Sequence, residues 1–311
     1  MKIVMFDPNC YKFTDDMINY WEAQGHETRK SLYYDPVLVD WADVVWFETC
    51  DNNLYQATNG DNPEWKLTNF KDKKVICRVI DIEVWSGLHK MVDWALVDET
   101  IFIAPHIRNE VLKDVEVGSN QIVYNGVNLE KFTMRKDPAN TKKIAWVAER
   151  WYAKGVDLFL QYAATLYKRD PEYKIYAVGI WADSCANGWY KAYIDQFIRE
   201  NPMNVEFIDH VPDMNEFLED KSHCILFSKK EAFSYAIAEG MAKGLKPIIH
   251  NFYGAKDLWP EKYIWNTIDE AIWMTLDFVN YDPEEYRKHI EDTYPNEKML
   301  SAFDKIINGK E

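Results

Sequence analysis

Two carboxylates in the second half of the sequence, Glu231 and Glu239, stand eight positions apart and could hold two parts of one elongated ligand. A short apolar run at residues 224–227 precedes them, and a second run at residues 247–249 follows them. This order predicts a buried strand, a tight loop, a helix and another buried strand, which form one parallel βαβ unit. Because eight residues are slightly more than two helical turns, side chains at this spacing return to nearly the same face.

Small residues lie between the two acids and just beyond them: Ser234, Ala236, Ala238, Gly240 and Ala242. They allow the loop and helix to approach the sheet closely, and they leave backbone N–H groups at the helix start, where an anion can bind. The same spacing also fits one acid that interacts with the helix dipole and a second acid that is solvated. Spacing alone leaves both interpretations open.

Three motifs extend this pattern in a consistent order. The segment Glu231–Glu239 reads Glu-Ala-Phe-Ser-Tyr-Ala-Ile-Ala-Glu and is followed by Met-Ala-Lys-Gly-Leu-Lys-Pro-Ile-Ile. It resembles the E-x-F-G-x-x-x-x-E signature of retaining GT-B glycosyltransferases of the family-4 type (glycosyl transferases group 1). Residues 124–132 resemble that family's N-G-V-D-x-x-x-F motif, and residues 144–157 resemble its G-R-x-x-x-x-K-G segment. The resemblance covers about residues 120–275 and is weaker before them.

The resemblance implies an α/β protein of the GT-B fold. In this fold two Rossmann-like domains face a cleft, and a C-terminal helix crosses back to the first domain. We therefore expect an acceptor domain at residues 1–135, a nucleotide-sugar donor domain at residues 136–285, and a helix at residues 286–311 that packs on the N-terminal domain. Apolar runs alternate with helical stretches in both halves, which independently favours two parallel sheets.

The predicted elements can be stated with their bounds. Strands are predicted at residues 2–6, 44–47, 74–80, 100–104, 141–149, 174–179, 205–209, 224–227 and 247–249. The segment Thr14-Asp15-Asp16 is predicted to cap a helix that runs to about Ala23, and residues 283–307 are predicted to be helical.

The resemblance also implies roles for residues of the donor domain. Lys154 would contact the donor diphosphate, Glu239 would accept hydrogen bonds from the ribose, and Glu231 would face the transferred sugar and support positive charge at its anomeric carbon. Phe233, Ser234 and Tyr235 would present backbone N–H groups to sugar and phosphate. Gly179 and Val211 follow predicted strands of the donor domain, and Val211 lies where the family holds the nucleobase.

Four features depart from the family pattern. Glu149 stands where an arginine is usual, so either Arg150 replaces that arginine or the site uses one cation fewer. Ser234 replaces a glycine, and Ile80 stands where a histidine is frequent. The loop after the first strand, Asp7-Pro8-Asn9-Cys10, lacks the family's glycine pair.

Polar residues follow several strands of the first half, and ligands of open α/β sheets bind beyond the carboxyl ends of strands. These positions are the candidates for the acceptor side of the site: Asn9, Glu48, Asp51, Asp81, Glu83 and His106. Each acid among them also fits a helix cap or a solvated loop charge.

Composition limits the partners. The chain of 311 residues has a net charge of −15, and residues 1–135 carry 14 basic and 22 acidic residues. This acidity disfavours long-range attraction to duplex DNA or anionic lipid. No run of 18 apolar residues and no signal-peptide pattern is present, which predicts a cytoplasmic protein without a transmembrane segment. Five cysteines without a Cys-x-x-Cys pair predict buried free thiols and no structural zinc.

These observations favour a retaining glycosyltransferase that moves a hexose or pentose from a UDP- or GDP-sugar to a hydroxyl group. No Asp-x-Asp metal motif lies in the matching place, so we expect a metal-independent reaction without a tightly bound cofactor. The acceptor is a glycan or, with less support, a modified base in phage DNA. Two alternatives remain: a GT-B protein that binds a nucleotide-sugar without transferring it, and an unrelated epimerase or dehydrogenase. The second lacks its Gly-x-Gly-x-x-Gly motif after the first strand.

Overall fold

The computed structural model describes residues 1–9, 12–137, 139–182, 188–277 and 279–309. The chain divides into two compact units, which are described separately. Unit 1 contains Met1–Gly126 and Glu297–Glu311, and unit 2 contains Val127–Asn296. The chain thus changes units at Gly126 and again at Asn296, so residues 286–296, which the sequence grouped with the C-terminal helix, lie in unit 2.

Unit 1 is built on a parallel sheet of six strands in the order β2-β1-β3-β4-β5-β6. The strands are β1 Lys2–Phe6, β2 Glu27–Ser31, β3 Val44–Phe47, β4 Lys74–Val79, β5 Glu99–Phe102 and β6 Ser119–Ile122. Its α-helices are Lys12–Ala23, Pro36–Trp41, Asn52–Thr58, Ile82–Trp85, Pro105–Asp114 and Asn296–Ile307. Because β2 and β3 lie on opposite sides of β1, the strand order reverses there, and the loops after β1 and β3 meet at this switch point.

The C-terminal helix supplies part of the core of unit 1. Phe303 packs edge-on against Trp46 of β3 with ring centroids 5.1 Å apart, and Trp46 packs against Trp21 at 5.3 Å. Met299 and Ile307 are buried in the same cluster. Burial of two tryptophans and a phenylalanine contributes several kcal/mol, at roughly 1.5–3 kcal/mol for each large apolar side chain, so this helix is integral to unit 1.

Unit 2 also contains a parallel sheet of six strands, in the order β12-β11-β10-β7-β8-β9. The strands are β7 Lys143–Val147, β8 Lys174–Val178, β9 Val205–Ile208, β10 His223–Leu226, β11 Lys246–His250 and β12 Ile264–Trp265. Its α-helices are Val156–Arg169, Gly188–Glu200, Met214–Leu218, Tyr235–Ala242, Ala255–Leu258, Ile268–Leu276 and Pro283–Thr293. The switch point lies between β7 and β10, where the loops after these two strands meet.

The core of unit 2 is aromatic. Trp146 of β7 stacks on Phe159 with ring centroids 4.1 Å apart, and Phe227, directly after β10, packs edge-on against Trp146 at 5.9 Å. Trp265 packs on Phe227 from the other side at 5.6 Å. Phe227 therefore anchors the start of the loop that leads to Glu231.

Two expectations about helices require correction. The first helix begins at Lys12, so Thr14 does not cap it; instead the Thr14 hydroxyl donates to Asp7 Oδ2 at 2.8 Å. The tail consists of two helices, Pro283–Thr293 and Asn296–Ile307. Pro295 separates them, because a proline disfavours helical geometry in the residue before it.

Cys50, Cys77 and Cys224 are buried free thiols, whereas Cys10 and Cys185 lie outside the described residues. Within the described ranges, every helix is too short or too polar to span a bilayer.

Candidate active site

An ion pair joins two loops at the switch point of unit 2. The Lys154 ammonium lies 2.8 Å from Glu231 Oε2, and the two side chains are 26% and 12% exposed. Ser228 Oγ donates to the same carboxylate oxygen at 3.0 Å. Glu231 is therefore held by a cation and a hydroxyl while its side chain stays partly exposed.

Backbone contacts bring these loops together. Lys229 N donates to Ala153 O at 2.8 Å. Gly155 has φ +73°, and a Cβ at this position would lie 2.1 Å from Phe227 O, so a side chain is excluded. Only glycine allows the helix that begins at Val156 to start this close to the end of β10. The Lys-Gly pair thus places the Lys154 side chain beside Glu231.

Ser228 is itself fixed from β11. It is fully buried, and His250 Nδ1 lies 2.9 Å from its carbonyl oxygen. A carbonyl only accepts, so the imidazole is protonated at Nδ1 and donates. Burial lowers the pKa of His250 below its usual value, which favours the neutral ring. Ser228 and His250 were not among the predicted site residues. The sequence offered one signal for Ser228, which directly follows an apolar run and stands three positions before Glu231.

The helix Tyr235–Ala242 begins four residues after Glu231 and points its first-turn N–H groups out of the helix. Such groups have no partner within a helix and favour an anion. Phe233 is buried, and its ring packs against Trp259 at 5.7 Å and Tyr294 at 5.2 Å. Ser234 is also buried, and Tyr235 is half-buried with its ring 5.3 Å from Phe233. These side chains pack around the loop that precedes the helix.

Glu239 lies on the same helix, half-buried. Burial raises the pKa of its carboxyl to about 7, and the nearby Lys131 ammonium opposes this shift. The next residue, Gly240, is required because a Cβ there would lie 2.7 Å from Cys224 Sγ. The helix therefore packs directly on β10, and this close packing keeps the Glu239 side chain partly shielded from solvent.

Arg150 points into the protein. It is 2% exposed, and its guanidinium donates to Ala177 O at 2.9 Å, Ile208 O at 2.7 Å and Asp209 Oδ1 at 3.1 Å. These contacts tie the ends of β8 and β9 together. Glu149, beside it, is exposed. The structure thus brings Lys154 to Glu231 but directs Arg150 to a different part of unit 2.

Gly179 and Val211 follow β8 and β9. Gly179 has φ +140°, and a Cβ there would lie 2.0 Å from Ala148 O, so glycine is required for the close approach to the end of β7. Val211 is half-buried, beyond Asp209. Both residues lie at the carboxyl edge of the sheet, on the side of β7 opposite to β10.

The acceptor-side candidates of unit 1 are mostly engaged by the protein itself. Glu48 is fully buried, pairs with Arg78, and accepts from Trp46 Nε1 at 2.8 Å. Arg78 also donates to Asn125 Oδ1. Burial raises the pKa of Glu48 to about 7 against the opposing effect of Arg78. Glu48 and Arg78 form an internal ion pair.

The carboxylates of Glu83 and Asp51 accept hydrogen bonds from backbone N–H groups. Glu83 is buried and accepts from Ile80 N at 2.7 Å and Asp81 N at 3.2 Å, and burial raises its pKa. Asp51 caps the helix Asn52–Thr58 through Asn53 N at 3.0 Å, and burial raises its pKa to about 6.

The remaining candidates differ in exposure. Asn9 is exposed, and its N–H donates to Asp7 Oδ1 at 3.2 Å. Asp81 is half-buried two positions after the end of β4, and His106 is buried in the first turn of the helix Pro105–Asp114. Glu48, Asp51, Asp81 and Glu83 thus all follow the carboxyl ends of β3 and β4, largely in structural contacts.

Solved structures with the same architecture define the fold. HepE from Anabaena, crystallised with UDP and glucose, superposes with a TM-score of 0.75 at 12% identity over 99% of both chains. Sucrose-phosphate synthase from Thermosynechococcus elongatus gives a TM-score of 0.78 at 13% identity, over 99% of this chain and 98% of that chain. TarM gives 0.68 at 17% identity, over 85% of this chain and 54% of the TarM chain. The fold is GT-B, with two Rossmann-like domains, which confirms the predicted fold class.

The family follows from the sequence match. The model of the family "Glycosyl transferases group 1" matches residues 130–306, more than half of the 311 residues. The chain belongs to this family and is a glycosyltransferase, as the three motifs predicted. No curated protein matches it. Among the described residues, His, Cys, Asp and Glu side chains form no group of three or more that could hold a metal ion.

Proposed function

We propose that this protein transfers a sugar from a UDP- or GDP-sugar to a hydroxyl acceptor with retention of anomeric configuration and without a metal ion. The observation that carries the proposal is the Lys154–Glu231 ion pair, which lies between two loops at the switch point of unit 2. Family membership supports the use of a nucleotide-sugar. The UDP complex of HepE, similar in fold alone, makes UDP the first nucleotide to test.

Lys154 can bind the diphosphate of the nucleotide-sugar while it remains paired with Glu231. An ammonium has three N–H donors, and the bond to Glu231 uses one of them. The others can reach diphosphate oxygens, and charge-assisted bonds of this kind are among the strongest hydrogen bonds in proteins. The helix Tyr235–Ala242 adds the partial positive charge of its N-terminus. Together they compensate the negative charge of the leaving diphosphate.

Glu231 would face the transferred sugar. As the bond to the leaving phosphate breaks, positive charge grows at the anomeric carbon, and a nearby carboxylate stabilises it. The acceptor oxygen bonds to the anomeric carbon on the face that the phosphate oxygen leaves, and its proton passes to that departing oxygen. Because the new glycosidic bond forms on the same face as the broken bond, the configuration is retained. Glu239 would accept hydrogen bonds from the ribose hydroxyls. Phe233, Ser234 and Tyr235 would contribute backbone N–H groups, and Val211 and Gly179 would line the nucleobase end.

A second function is a GT-B protein that binds a nucleotide-sugar but does not transfer it. Two observations favour this alternative: Glu149 occupies the usual arginine position, and Arg150 donates to carbonyls inside the protein. One cation, Lys154, would then compensate the diphosphate together with the helix.

A metal-free thermal-shift panel tests the proposal. Because a ligand that binds the folded chain raises the melting temperature by mass action, UDP or GDP and their sugar conjugates should raise it. Lys154→Ala should weaken nucleotide binding about 10- to 100-fold, since hydrogen bonds to charged groups contribute about 1.5–3 kcal/mol. Lys256→Ala, which removes an exposed lysine paired with Glu261, is the control. No shift with any nucleotide would overturn the proposal, and nucleotide binding without hydrolysis or transfer would select the second function.

A further inference from the structure

Unit 1 contains a cleft of about 600 Å³ at the edge of its sheet opposite to the switch point. It is lined by the first residues of three strands, Lys74 of β4, Glu99 of β5 and Ser119 of β6, and by one face of the helix Asn296–Ile307. Ligands of open α/β sheets usually bind beyond the strand ends, whereas this cleft lies where strands begin. It shares no residue with the candidate active site, and its volume is within the range of about 300–1,000 Å³ that is usual for small-molecule sites.

Three lysines determine the charge of this cleft, which we call the basic cleft. Lys74, Lys298 and Lys305 line it together with one acid, Glu99, although the whole chain has a net charge of −15. The Glu99 carboxylate accepts from Gln121 Nε2 at 2.9 Å. The lining thus has an excess of positive charge in an acidic protein, and this excess favours an anion.

The two lysines on the helix are exposed and are not compensated by the acids beside them in the sequence. Among the residues that the structure describes, Lys298 and Lys305 form no ion pair. Glu297 and Asp304 each precede one of these lysines, which places their side chains about 100° away around the helix axis. Asp304 Oδ1 lies 3.9 Å from His26 Nε2 instead. Both ammonium groups are therefore available to a ligand.

Lys74 marks one end of the basic cleft. Its ammonium donates to Ile306 O in the last turn of the helix, and this bond uses one of its three N–H donors. Lys305 adjoins Ile306, whereas Lys298 lies seven residues earlier, which is about 10 Å along the helix axis. Two lysines therefore lie at one end of the basic cleft and one lysine lies at the other.

Helix stability explains only part of this arrangement. Cations near the C-terminus of a helix interact favourably with its dipole, so Lys74 and Lys305 would stabilise the helix Asn296–Ile307 without any ligand. Lys298 stands in the first turn of the same helix, where a positive charge is unfavourable. The position of Lys298 in the lining instead fits an anion that binds at that end.

We propose that the basic cleft binds a small phosphorylated molecule with a phosphoryl group at each end. Ammonium groups form strong charge-assisted hydrogen bonds with phosphate oxygens. Ser119 and Ser301 also line the cleft, and their hydroxyl groups can donate to the same ligand. Two phosphate monoesters together carry about −3 to −4 at pH 7, which matches three lysines better than a dicarboxylate does.

Such a ligand would connect the helix Asn296–Ile307 to the starts of the neighbouring strands. Because this helix supplies part of the core of unit 1, the ligand should raise the stability of the folded chain by mass action. The proposal concerns residues that take no part in the proposed sugar transfer, so the two can be tested separately.

Titration calorimetry of the full chain with fructose bisphosphate and fructose monophosphate tests the proposal, because these probes differ by one phosphoryl group. The bisphosphate should bind and raise the melting temperature. The monophosphate should bind at least about tenfold more weakly, because it loses the charge-assisted hydrogen bonds at one end. Saturating UDP should not displace the bisphosphate.

Variants of the helix lysines show where the probe binds. Lys298→Ala and Lys305→Ala should each weaken binding of the bisphosphate about tenfold. Lys298→Ala should also remove most of the preference for bisphosphate over monophosphate, because one end of the cleft then lacks its cation. Lys298→Arg keeps the charge and should retain most of the affinity. UDP binding and the melting temperature without ligand, measured in parallel, show that each variant is folded.

Lys113→Ala is the matched control. It removes an exposed lysine from the last turn of another helix of unit 1, Pro105–Asp114, where Lys113 pairs with Glu110. This variant should bind the bisphosphate as wild type does. An equal loss of affinity in Lys113→Ala and Lys298→Ala would show that the probe responds to diffuse charge and would refute the proposal.

Other contrary outcomes have distinct meanings. No binding of the bisphosphate, or equal affinity for the two probes, would overturn the basic cleft as a site for a bisphosphate. Displacement by UDP, or loss of affinity in Lys154→Ala, would place the probe in the nucleotide-sugar site instead. Binding to phosphatidylglycerol vesicles without binding to the soluble probe would assign the lysines to a membrane surface. Absence of UDP binding alone would contradict the proposed function and not this proposal.

Discussion

The two units carry acidic residues at the same place in the same kind of sheet, yet they use them differently. At the switch point of unit 1, Glu48 is fully buried and paired with Arg78. At the switch point of unit 2, Glu231 is 12% exposed and paired with the 26% exposed Lys154. Position at a strand end is therefore not sufficient to identify a ligand-binding acid. The partner and the remaining exposure decide whether the acid stabilises the fold or can meet a ligand.

The comparison predicts the largest functional effect for Glu231→Gln. This variant keeps the volume of the side chain and removes the negative charge that supports the sugar cation. Transfer should fall about 100- to 1,000-fold, because loss of one preorganised electrostatic contact costs about 2.7–4 kcal/mol of transition-state stabilisation. Transfer of a radiolabelled sugar and the melting temperature would be measured together. Wild-type turnover in a folded variant would remove Glu231 from the mechanism.

Glu48→Ala should have the opposite profile. Removing one partner of a buried ion pair leaves Arg78 uncompensated and costs about 3–5 kcal/mol of stability. Denaturant unfolding measures this loss, and the double variant Glu48→Ala/Arg78→Met should recover part of it. If instead Glu48→Ala lost transfer at unchanged stability, Glu48 would belong to the acceptor site, and the contrast between the two units would fail.

The contrast also explains what the sequence could predict. Buried strands such as β3, β4, β10 and β11 each contain an apolar run, and their positions were predicted within one or two residues. Three strands were missed. The strands β2 and β6, at the two edges of the sheet of unit 1, read Glu-Thr-Arg-Lys-Ser and Ser-Asn-Gln-Ile and carry little apolar signal. The third, β12, has only two residues, Ile264–Trp265, which is too short for a pattern.

Site residues were predictable where a motif constrains the backbone. Gly155 fixes the loop that carries Lys154, so the Lys-Gly pair predicts the position of that side chain. The direction of Arg150 was not predictable, since it depends on carbonyls of β8 and β9 that lie far away in the sequence. The role of Ser228 depends in the same way on contacts that form after the sheet of unit 2 is assembled.

The pKa of Glu239 predicts a pH effect in unit 2. Its folded-state value of about 7 lies above the usual 4.5, so the folded chain holds the proton more tightly than the unfolded chain. The resulting stabilisation is fully present below about pH 4.5 and is lost as the pH rises through 7. Glu239→Gln should remove this loss and gain stability relative to wild type between pH 5 and 8, on the order of 1–3 kcal/mol.

Denaturant unfolding at pH 5, 6, 7 and 8 would measure the difference between Glu239→Gln and wild type. Glu284→Gln, which changes an exposed acid on the helix Pro283–Thr293, is the control and should run parallel to wild type. Parallel curves for Glu239→Gln as well would show that Glu239 is ionised at the same pH in the folded and unfolded chains. Glu48, whose pKa is also raised, contributes equally to wild type and variant and cancels in the difference.

The smallest effect is expected for Ser228→Ala. This variant tests whether Glu231 depends on the hydrogen bond from Ser228 for its position. Ser228 Oγ orients Glu231 at 3.0 Å without reaching a ligand itself, so its loss should lower kcat about fivefold and leave the KM for the donor unchanged. A net hydrogen bond to a charged group contributes about 1.5–3 kcal/mol, but Lys154 still holds the carboxylate and limits the loss. Ser228→Thr keeps the hydroxyl and should restore the rate. If both variants raised KM and left kcat intact, Ser228 would act on donor binding, and the position of Glu231 would depend on Lys154 alone.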